Sequence, residues 1–142
     1  MPDIGIHKKG EINLPMLLEK VRRNLPETVG AIGCFIGVVR GRSSKGEKVK
    51  LLDYESSEEA LKKLKEIAEE IEQRKNIERV AIHHVVDELK PGEDAVYVVI
   101  AGKGREDVFK ALPDAMNLVK TKAPIWKKEV TKKGARWGHE TG

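Results

Sequence analysis

The sequence predicts an α+β fold with a mostly antiparallel sheet and about three helices. Three segments place apolar residues at helical spacing, and the segments between them are short, apolar and rich in β-branched residues, as strands are. Two of these strands follow each other across a Pro-Gly turn, which favours antiparallel pairing. The resulting order, β-α-β-β-α-β-β-α-β, is typical of an α+β domain.

The chain begins with a short strand and a helix. Asp3 to His7 are predicted to form the strand. Asn13 is a typical N-cap, and Leu14-Pro15 begins the helix because proline is tolerated in the first helical turn. Pro26 ends this unit, since proline cannot continue a helix.

An apolar segment punctuated by glycine, Gly30 to Arg40, predicts a buried strand with a bulge or a close backbone approach. A polar loop, Gly41 to Gly46, connects it to the returning strand, Val49 to Glu55. Cys34 lies on the first of these strands and is the only cysteine of the chain. We therefore expect no disulfide within the chain and no multi-cysteine metal site, and we expect Cys34 to be buried and structural.

The second helix has the clearest pattern, and we expect Ser57 to be its N-cap. Its apolar residues recur at helical spacing with Lys and Glu between them: Leu61, Leu64, Ile67, Ala68 and Ile71. Arg79 to Val86 and Ala95 to Ile100 are the next predicted strands, joined by the Pro91-Gly92 turn.

Two adjacent histidines, His83 and His84, lie on the first of those strands. Neighbouring strand residues point to opposite faces, so the two imidazoles are a poor pair of ligands for one metal ion. We expect one packed and one solvated histidine, and no metal site is predicted.

The third helix is predicted from Arg105 to Lys120. One stripe of this helix contains Arg105, Phe109, Leu112, Met116 and Lys120. We expect the middle three in the core. The amine of Lys120 either reaches solvent or lines a pocket, where partial desolvation would favour acid/base or nucleophilic chemistry. The two charged ends are separated by about 22 Å of helix, so both can contact one small substrate only if one comes from a second chain.

The segment after Lys120 is basic. Pro124 ends the helix, and we expect Trp126 to be an anchor in the domain or at an interface. Lys127 is either turned back towards Lys120 or part of a solvated basic face. For Arg40, at the end of the Gly-rich strand, two interpretations are equally supported. Its side chain either binds a phosphate through two hydrogen bonds or is a surface charge.

The composition narrows the class of protein. The 142 residues fit a single domain, 1–142, and 39% hydrophobic residues suffice for one core. The net charge of +4 is mild, so we expect no nucleic-acid partner but an anionic substrate or an acidic protein partner. An RNA-binding domain is disfavoured by the aromatic content of 4%. No signal peptide or membrane-spanning stretch is evident, which favours the cytoplasm.

Four segments resemble the catalytic (large) subunits of molybdopterin synthase. The segment from Leu118 to Glu129, LVKTKAPIWKKE, is similar to the LKTRAPFWKRE stretch of that family and is the most specific match. Gly30 to Arg40 resembles its GAxxxFxGxVR strand, His83 to Glu93 its HRxGxLxxGe strand and turn, and Gly134 to Trp137 its GxRW ending. The matches occur in order and cover most of the chain.

The resemblance implies a hammerhead-like α/β fold and a central homodimer. Each end of the dimer binds a small ubiquitin-like sulfur-carrier subunit, which gives a heterotetramer. The Gly-Gly tail of the carrier, as a thiocarboxylate, donates sulfur to cyclic pyranopterin monophosphate, and two transfers form the dithiolene of molybdopterin. The implied protein is a sulfurtransferase of molybdenum cofactor biosynthesis with no cofactor of its own.

The resemblance also assigns site residues. Lys120 and Lys127 match the two lysines that the family uses in catalysis. Four further residues match positions that bind substrate: Arg40, Phe35, Met116 and Arg105. The family supplies the arginine at position 105 from the neighbouring protomer, which agrees with the helix-length argument.

One position departs from the family pattern. Many members have His-Arg where this chain has Gly104-Arg105. The loss of that titratable group leaves an alternative open, a pterin- or nucleotide-binding homologue without turnover.

Overall fold

The computed structural model describes residues 2–139, which form three helices and eight strands. The ends of the predicted domain, residue 1 and residues 140–142, lie outside that range. The elements in chain order are β1 Asp3–His7, α1 Leu14–Arg22, β2 Ala31–Val38, β3 Val49–Ser56, α2 Ala60–Glu72, β4 Ile77–Val85, β5 Glu88–Leu89, β6 Asp94–Gly102, α3 Arg105–Lys122, β7 Ile125–Thr131 and β8 Gly134–His139.

The strands form two four-stranded sheets, where the sequence predicted one. The first sheet has the order β1-β4-β6-β2, and the second has the order β5-β3-β7-β8. Among the strands of residues 2–139, only β1 and β4 pair in parallel, and β4 pairs with β6 in antiparallel fashion as predicted. The predicted α+β class with mostly antiparallel pairing is therefore confirmed. The second sheet was missed because its β3–β7 pairing joins segments far apart in the chain.

The helices cover both faces of the first sheet. α2 and α3 pack on one face, and α1 packs on the other through Leu17 and Val21. Each fully buried Leu, Ile or Val side chain in these layers contributes about 1.5–3 kcal/mol. The close approach predicted for the Gly-rich strand occurs at Gly33, where an added Cβ would lie 2.5 Å from Val108 of α3. The predicted bulge is also present, between Gly37 and Val38.

One predicted helix start is correct and one is wrong. The Asn13 side chain accepts a hydrogen bond from the Met16 backbone at 3.0 Å and caps α1 as expected. α2 begins only at Ala60, because Ser57 instead caps the preceding turn, where its hydroxyl accepts from the Glu59 N–H at 3.2 Å. Leu61, placed in the buried stripe of α2, is exposed.

His83 and His84 are both buried, with 4% and 0% exposure, so the expectation of one solvated histidine was wrong. They do point in different directions. The Nδ1 atom of His83 lies 2.8 Å from Nε2 of His7, and its Nε2 atom lies 3.1 Å from the Asp3 carboxylate. The ring of His84 contacts that of Tyr54 edge-on. Polar and aromatic partners from neighbouring strands make burial of both rings possible.

Asp3 links three elements, because its other carboxylate oxygen lies 2.8 Å from Nζ of Lys20 on α1. Partial burial raises the pKa of this carboxyl group, but contacts with His83 and Lys20 outweigh burial and lower it to about 2. The N-terminal strand is thus held to β4 by backbone pairing and by the contact of Asp3 with His83, and to α1 by the ion pair of Asp3 with Lys20.

Two further burial predictions were wrong. Cys34 is exposed, on β2, which is an edge strand of the first sheet. Phe109 is 64% exposed because α3 presents a different stripe to the sheet. That stripe consists of Val108, Ala111, Ala115, Met116 and Val119. Its small alanines let the helix lie close to the strands.

None of the three helices in residues 2–139 has the length and apolarity that crossing a bilayer would require.

Candidate active site

A cavity of about 400 Å³, called the main cavity below, lies where the two sheets meet the end of α3. The residues that line it are Phe35, Ile36, Gly37, Val38, Arg40, Arg42, Leu52, Tyr54, Lys120, Lys127 and Glu129. Four of the six residues assigned to the site from sequence are among them. They come from β2 and its following loop, from α3 and from β7, so the cavity exists only in the folded chain.

Lys120 lies in the last turn of α3 and is half-buried. Met116 and Val119, which precede it, are buried against the first sheet, so the backbone that carries Lys120 is firmly placed. The helix ends soon afterwards, where the Ala123 N–H donates to the Val119 carbonyl at 3.2 Å. Pro124 then leads directly into β7, which keeps the two catalytic candidates close in the chain and in space.

Lys127 faces the main cavity from β7. In the antiparallel register, Lys127 pairs with Tyr54 and Glu129 pairs with Leu52. Residues two apart in a strand share a face, so Lys127 and Glu129 lie on the same side of the second sheet as Tyr54 and Leu52. Of the two alternatives left open for Lys127, its place in the structure favours the one turned back towards Lys120, since both side chains line one cavity.

Arg40 follows β2 by two residues and is exposed. Arg42 also lines the main cavity and was missed from sequence, because it follows a bend at Gly41 in a polar loop with no strand pattern. Glu129 was missed as well, although it lies two residues beyond Lys127 on the same strand, β7. Tyr54 carried no local signal, because only the β3–β7 register brings it to Lys127.

The main cavity has an excess of positive charge. Glu129 is the only carboxylate among its lining residues, and Arg136 lies 3.7 Å from it. The same guanidinium lies 3.1 Å from Glu47. Within the part of the chain that the structure describes, Arg40, Arg42 and Lys120 form no ion pair with a carboxylate. Such a site favours anionic ligands.

A second hollow of about 340 Å³, called the apolar hollow below, adjoins the main cavity and shares Phe35 and Lys120 with it. Its lining residues are Cys34, Phe35, Leu112, Pro113, Met116, Asn117 and Lys120. Met116, which the sequence assigned to substrate binding, therefore lines the apolar hollow and not the main cavity, and Lys120 lies between the two volumes. Although Cys34 is exposed, its thiol is partly desolvated at the edge of the apolar hollow, which raises its pKa and disfavours a thiolate there.

Arg105 is the one assigned residue that the chain does not bring to the site. It begins α3, whereas Lys120 lies near the end, and the helix is continuous through Pro113. About 22 Å of helix separate the two residues. Arg105 is exposed and borders neither the main cavity nor the apolar hollow.

No group of three or more His, Cys, Asp or Glu side chains within residues 2–139 is arranged to hold a metal ion.

Known proteins share both the sequence and the fold of this chain. The profile of one family, described as MoaE protein, matches residues 8–122. The chain belongs to the MoaE family. The match includes Arg40, Arg105 and Lys120 and ends before Lys127. Among relatives, the molybdopterin synthase catalytic subunit of Haemophilus ducreyi is 37% identical over 113 residues, which is 79% of this chain and 74% of that protein.

Solved structures agree with this membership of the MoaE family. Molybdopterin synthase from Staphylococcus aureus has a TM-score of 0.81 and 30% identity, and the alignment covers 95% of this chain and 96% of that one. A complex of subunits 1 and 2 of molybdopterin-converting factor from Helicobacter pylori has a TM-score of 0.73 at 19% identity, with coverage of 95% and 89%. At that identity the likeness concerns the fold alone. The resemblance found in the sequence, the α+β hammerhead-like fold and the expectation of a molybdopterin-forming sulfurtransferase are confirmed at the level of the family.

Proposed function

We propose that this MoaE-family chain transfers sulfur from a thiocarboxylated ubiquitin-like carrier to cyclic pyranopterin monophosphate, forming the dithiolene of molybdopterin. The convergence of Lys120, Lys127 and Arg40 on one cavity carries the proposal. Both reactants are anions, a phosphate diester and a thiocarboxylate, and three separate elements bring cations to the place where they would meet. The reaction needs no metal ion or cofactor of its own.

Substrate binding is assigned to the residues around this cluster. The guanidinium of Arg40 offers paired N–H donors that match the geometry of a phosphate. Phe35 lines both the main cavity and the apolar hollow, and Met116 lines the latter, so a flat pterin ring would lie against them. The phosphate then lies towards the cationic side and the ring towards the apolar side.

The chemistry is assigned to the two lysines. Lys120 lies at the boundary of both volumes, where its ammonium group would stabilise the thiocarboxylate and the tetrahedral intermediate that follows attack. Lys127, which faces the main cavity from β7, would transfer protons or hold the phosphate during opening of its ring. In each transfer the sulfur forms a bond to a side-chain carbon of the precursor and displaces an oxygen, which leaves as water in one transfer and stays on the opened phosphate in the other. Water then hydrolyses the thioester, so the carbon–sulfur bond of the carrier breaks and the carrier leaves with a carboxylate.

A homodimer would complete the site. β2 is the outermost strand of the first sheet, and within the described residues its second edge is unpaired. Phe109, one turn after Arg105, is 64% exposed. Pairing through this region would bury both the strand edge and the aromatic ring. The guanidinium of Arg105 from one protomer would then reach the phosphate in the site of the other.

The second partner is the sulfur carrier, one at each end of the dimer, which gives a heterotetramer. Its Gly-Gly tail has no side chains and would pass into the main cavity to reach Lys120 and Lys127. We place this assembly in the cytoplasm, where an exposed, reduced Cys34 would persist.

The test is to incubate the purified chain with thiocarboxylated carrier and the cyclic precursor, and to measure dithiolene formation. Product that requires the thiocarboxylate supports the proposal. Gly104 occupies the N-cap of α3 without a side-chain cap, where many members have histidine, and this favours one alternative, a binding homologue without turnover. Binding of the precursor without product would favour that alternative and contradict the proposal.

A further inference from the structure

Arg42 is held by a rigid backbone beside the site. The Val49 N–H donates to the Gly41 carbonyl at 3.0 Å, and the Ser43 N–H donates to the Glu47 carbonyl at 2.8 Å. The buried hydroxyl of Ser43 in turn accepts the Glu47 N–H at 3.1 Å. The segment from 41 to 49 is therefore a hydrogen-bonded hairpin, and the position of Arg42 does not depend on a loose loop.

The guanidinium of Arg42 retains most of its hydrogen-bonding capacity. Among the described residues, its side chain makes one hydrogen bond, to the Gly46 carbonyl at 3.3 Å, a neutral acceptor. An arginine carries five N–H donors, so most remain for a ligand. The carboxylate of Glu129, which lines the same cavity, already faces Arg136 at 3.7 Å.

Arg40 and Arg42 both line the main cavity. The chain bends at Gly41 between them. Two planar guanidinium groups in one cavity suit a phosphate, because each can donate two parallel hydrogen bonds to its oxygens. The ammonium group of Lys120, which lines the same cavity and forms no ion pair within residues 2–139, is placed for the second anion, the thiocarboxylate.

We propose that Arg42 is a second phosphate-binding arginine of this site, acting together with Arg40 on the phosphate of the substrate. The identity of that substrate rests on the proposed function, whereas the binding of a phosphate group by Arg42 can be tested without it. Arg42 would contact the phosphate both in the enzyme–substrate complex and in the transition state. Loss of this contact should therefore raise KM more than it lowers kcat. Because Arg42 is exposed, we expect an effect of about tenfold, at the low end for charged hydrogen bonds.

The first experiment titrates inorganic phosphate into the purified chain at constant ionic strength and follows backbone amide signals by NMR. The variants are Arg42→Gln, Arg42→Lys and the control Lys45→Gln, which removes a cation from the same hairpin outside the main cavity. We expect Arg42→Gln to weaken phosphate binding about tenfold, Arg42→Lys to recover part of it, and Lys45→Gln to bind as the wild type does. Equal binding by the two glutamine variants would overturn the proposal.

The second experiment measures the steady-state kinetics of the complete enzyme, with thiocarboxylated carrier and precursor. Arg42→Gln should raise KM for the precursor about tenfold relative to Lys45→Gln, with a smaller change in kcat. A lowered Tm with unchanged phosphate binding and unchanged KM would mean that Arg42 only closes the hairpin, and the proposal would fail. If the wild-type chain makes no dithiolene, the proposed function fails, and the phosphate titration alone decides the role of Arg42.

Discussion

The replacement Lys120→Gln tests the catalytic assignment most directly. The ammonium group lies at the boundary of the main cavity and the apolar hollow, at the end of α3. Loss of one donor that stabilises a developing negative charge typically lowers kcat by 10²–10³, or about 2.7–4 kcal/mol. Lys120 is only half-buried, so solvent weakens its field. We therefore expect the lower value, about 100-fold or roughly 2.7 kcal/mol.

Lys122→Gln provides the matched control. Lys122 also lies in the last turn of α3, so both replacements remove one cation that interacts with the helix dipole, each worth about 0.3–1 kcal/mol of stability. Two positions rotate a side chain by about 200° around a helix, and Lys122 is exposed and borders neither volume. The two variants should therefore have similar Tm values and different kcat values.

The assay measures dithiolene formation under single turnover and steady state, with saturating thiocarboxylated carrier. We expect Lys120→Gln to lower kcat about 100-fold with a small change in KM for the precursor, and Lys122→Gln to match the wild type. Equal rates for the two variants would refute the placement of Lys120 at the reacting atoms. A large rise in KM with unchanged kcat would assign Lys120 to binding instead of catalysis.

Three further predictions follow from the same structure. If the site is shared between protomers, mixing Arg105→Gln with Lys120→Gln, each of reduced activity alone, should restore up to about a quarter of the sites to wild-type composition under subunit exchange. Activity that does not rise above that of the two variants would contradict the shared site. The pKa of Asp3 is lowered to about 2, so its contribution to stability is present above pH 3.8 and is lost as the pH falls through 2. After allowance for solvent screening we expect the free energy of unfolding to fall by about 1 kcal/mol. In acid unfolding experiments this fall should be absent in Asp3→Asn and smaller in His83→Gln. Cys34→Ala should leave sulfur transfer unchanged, because burial raises the pKa of this thiol; loss of turnover with an unchanged Tm would show that Cys34 takes part in the transfer.

Local sequence patterns were enough to predict the helices and most of the strands. Asn13 identifies the start of α1 through a hydrogen bond to a backbone N–H three residues away, an interaction within one segment. Gly33 likewise indicates a close approach, because the missing Cβ leaves space for α3. Both features depend on the chemistry of a single residue, so they can be predicted from the sequence alone.

The failed predictions concern which neighbours a side chain meets. The stripe chosen for α3 placed Phe109 in the core, whereas the helix packs through Ala111 and Ala115 and leaves the aromatic ring exposed. One of the two adjacent histidines was expected to be solvated, yet both are buried, and His83 packs against Asp3 and His7. Spacing defines the possible faces of an element, but the partner elements decide which face is covered.

The sequence by itself determined the family, the types of the elements and the identity of the cations, because these follow from residue chemistry, local spacing and the lysine segment around Lys120 and Lys127. Only the tertiary structure decided that these cations share a cavity, that Arg42 and Glu129 belong to it, and that Arg105 does not reach it within one chain. The physical reason is the long-range pairing of β3 with β7, which joins Tyr54 to Lys127 across the chain. The free energy of that pairing comes from burial shared among many elements, so no single segment encodes it.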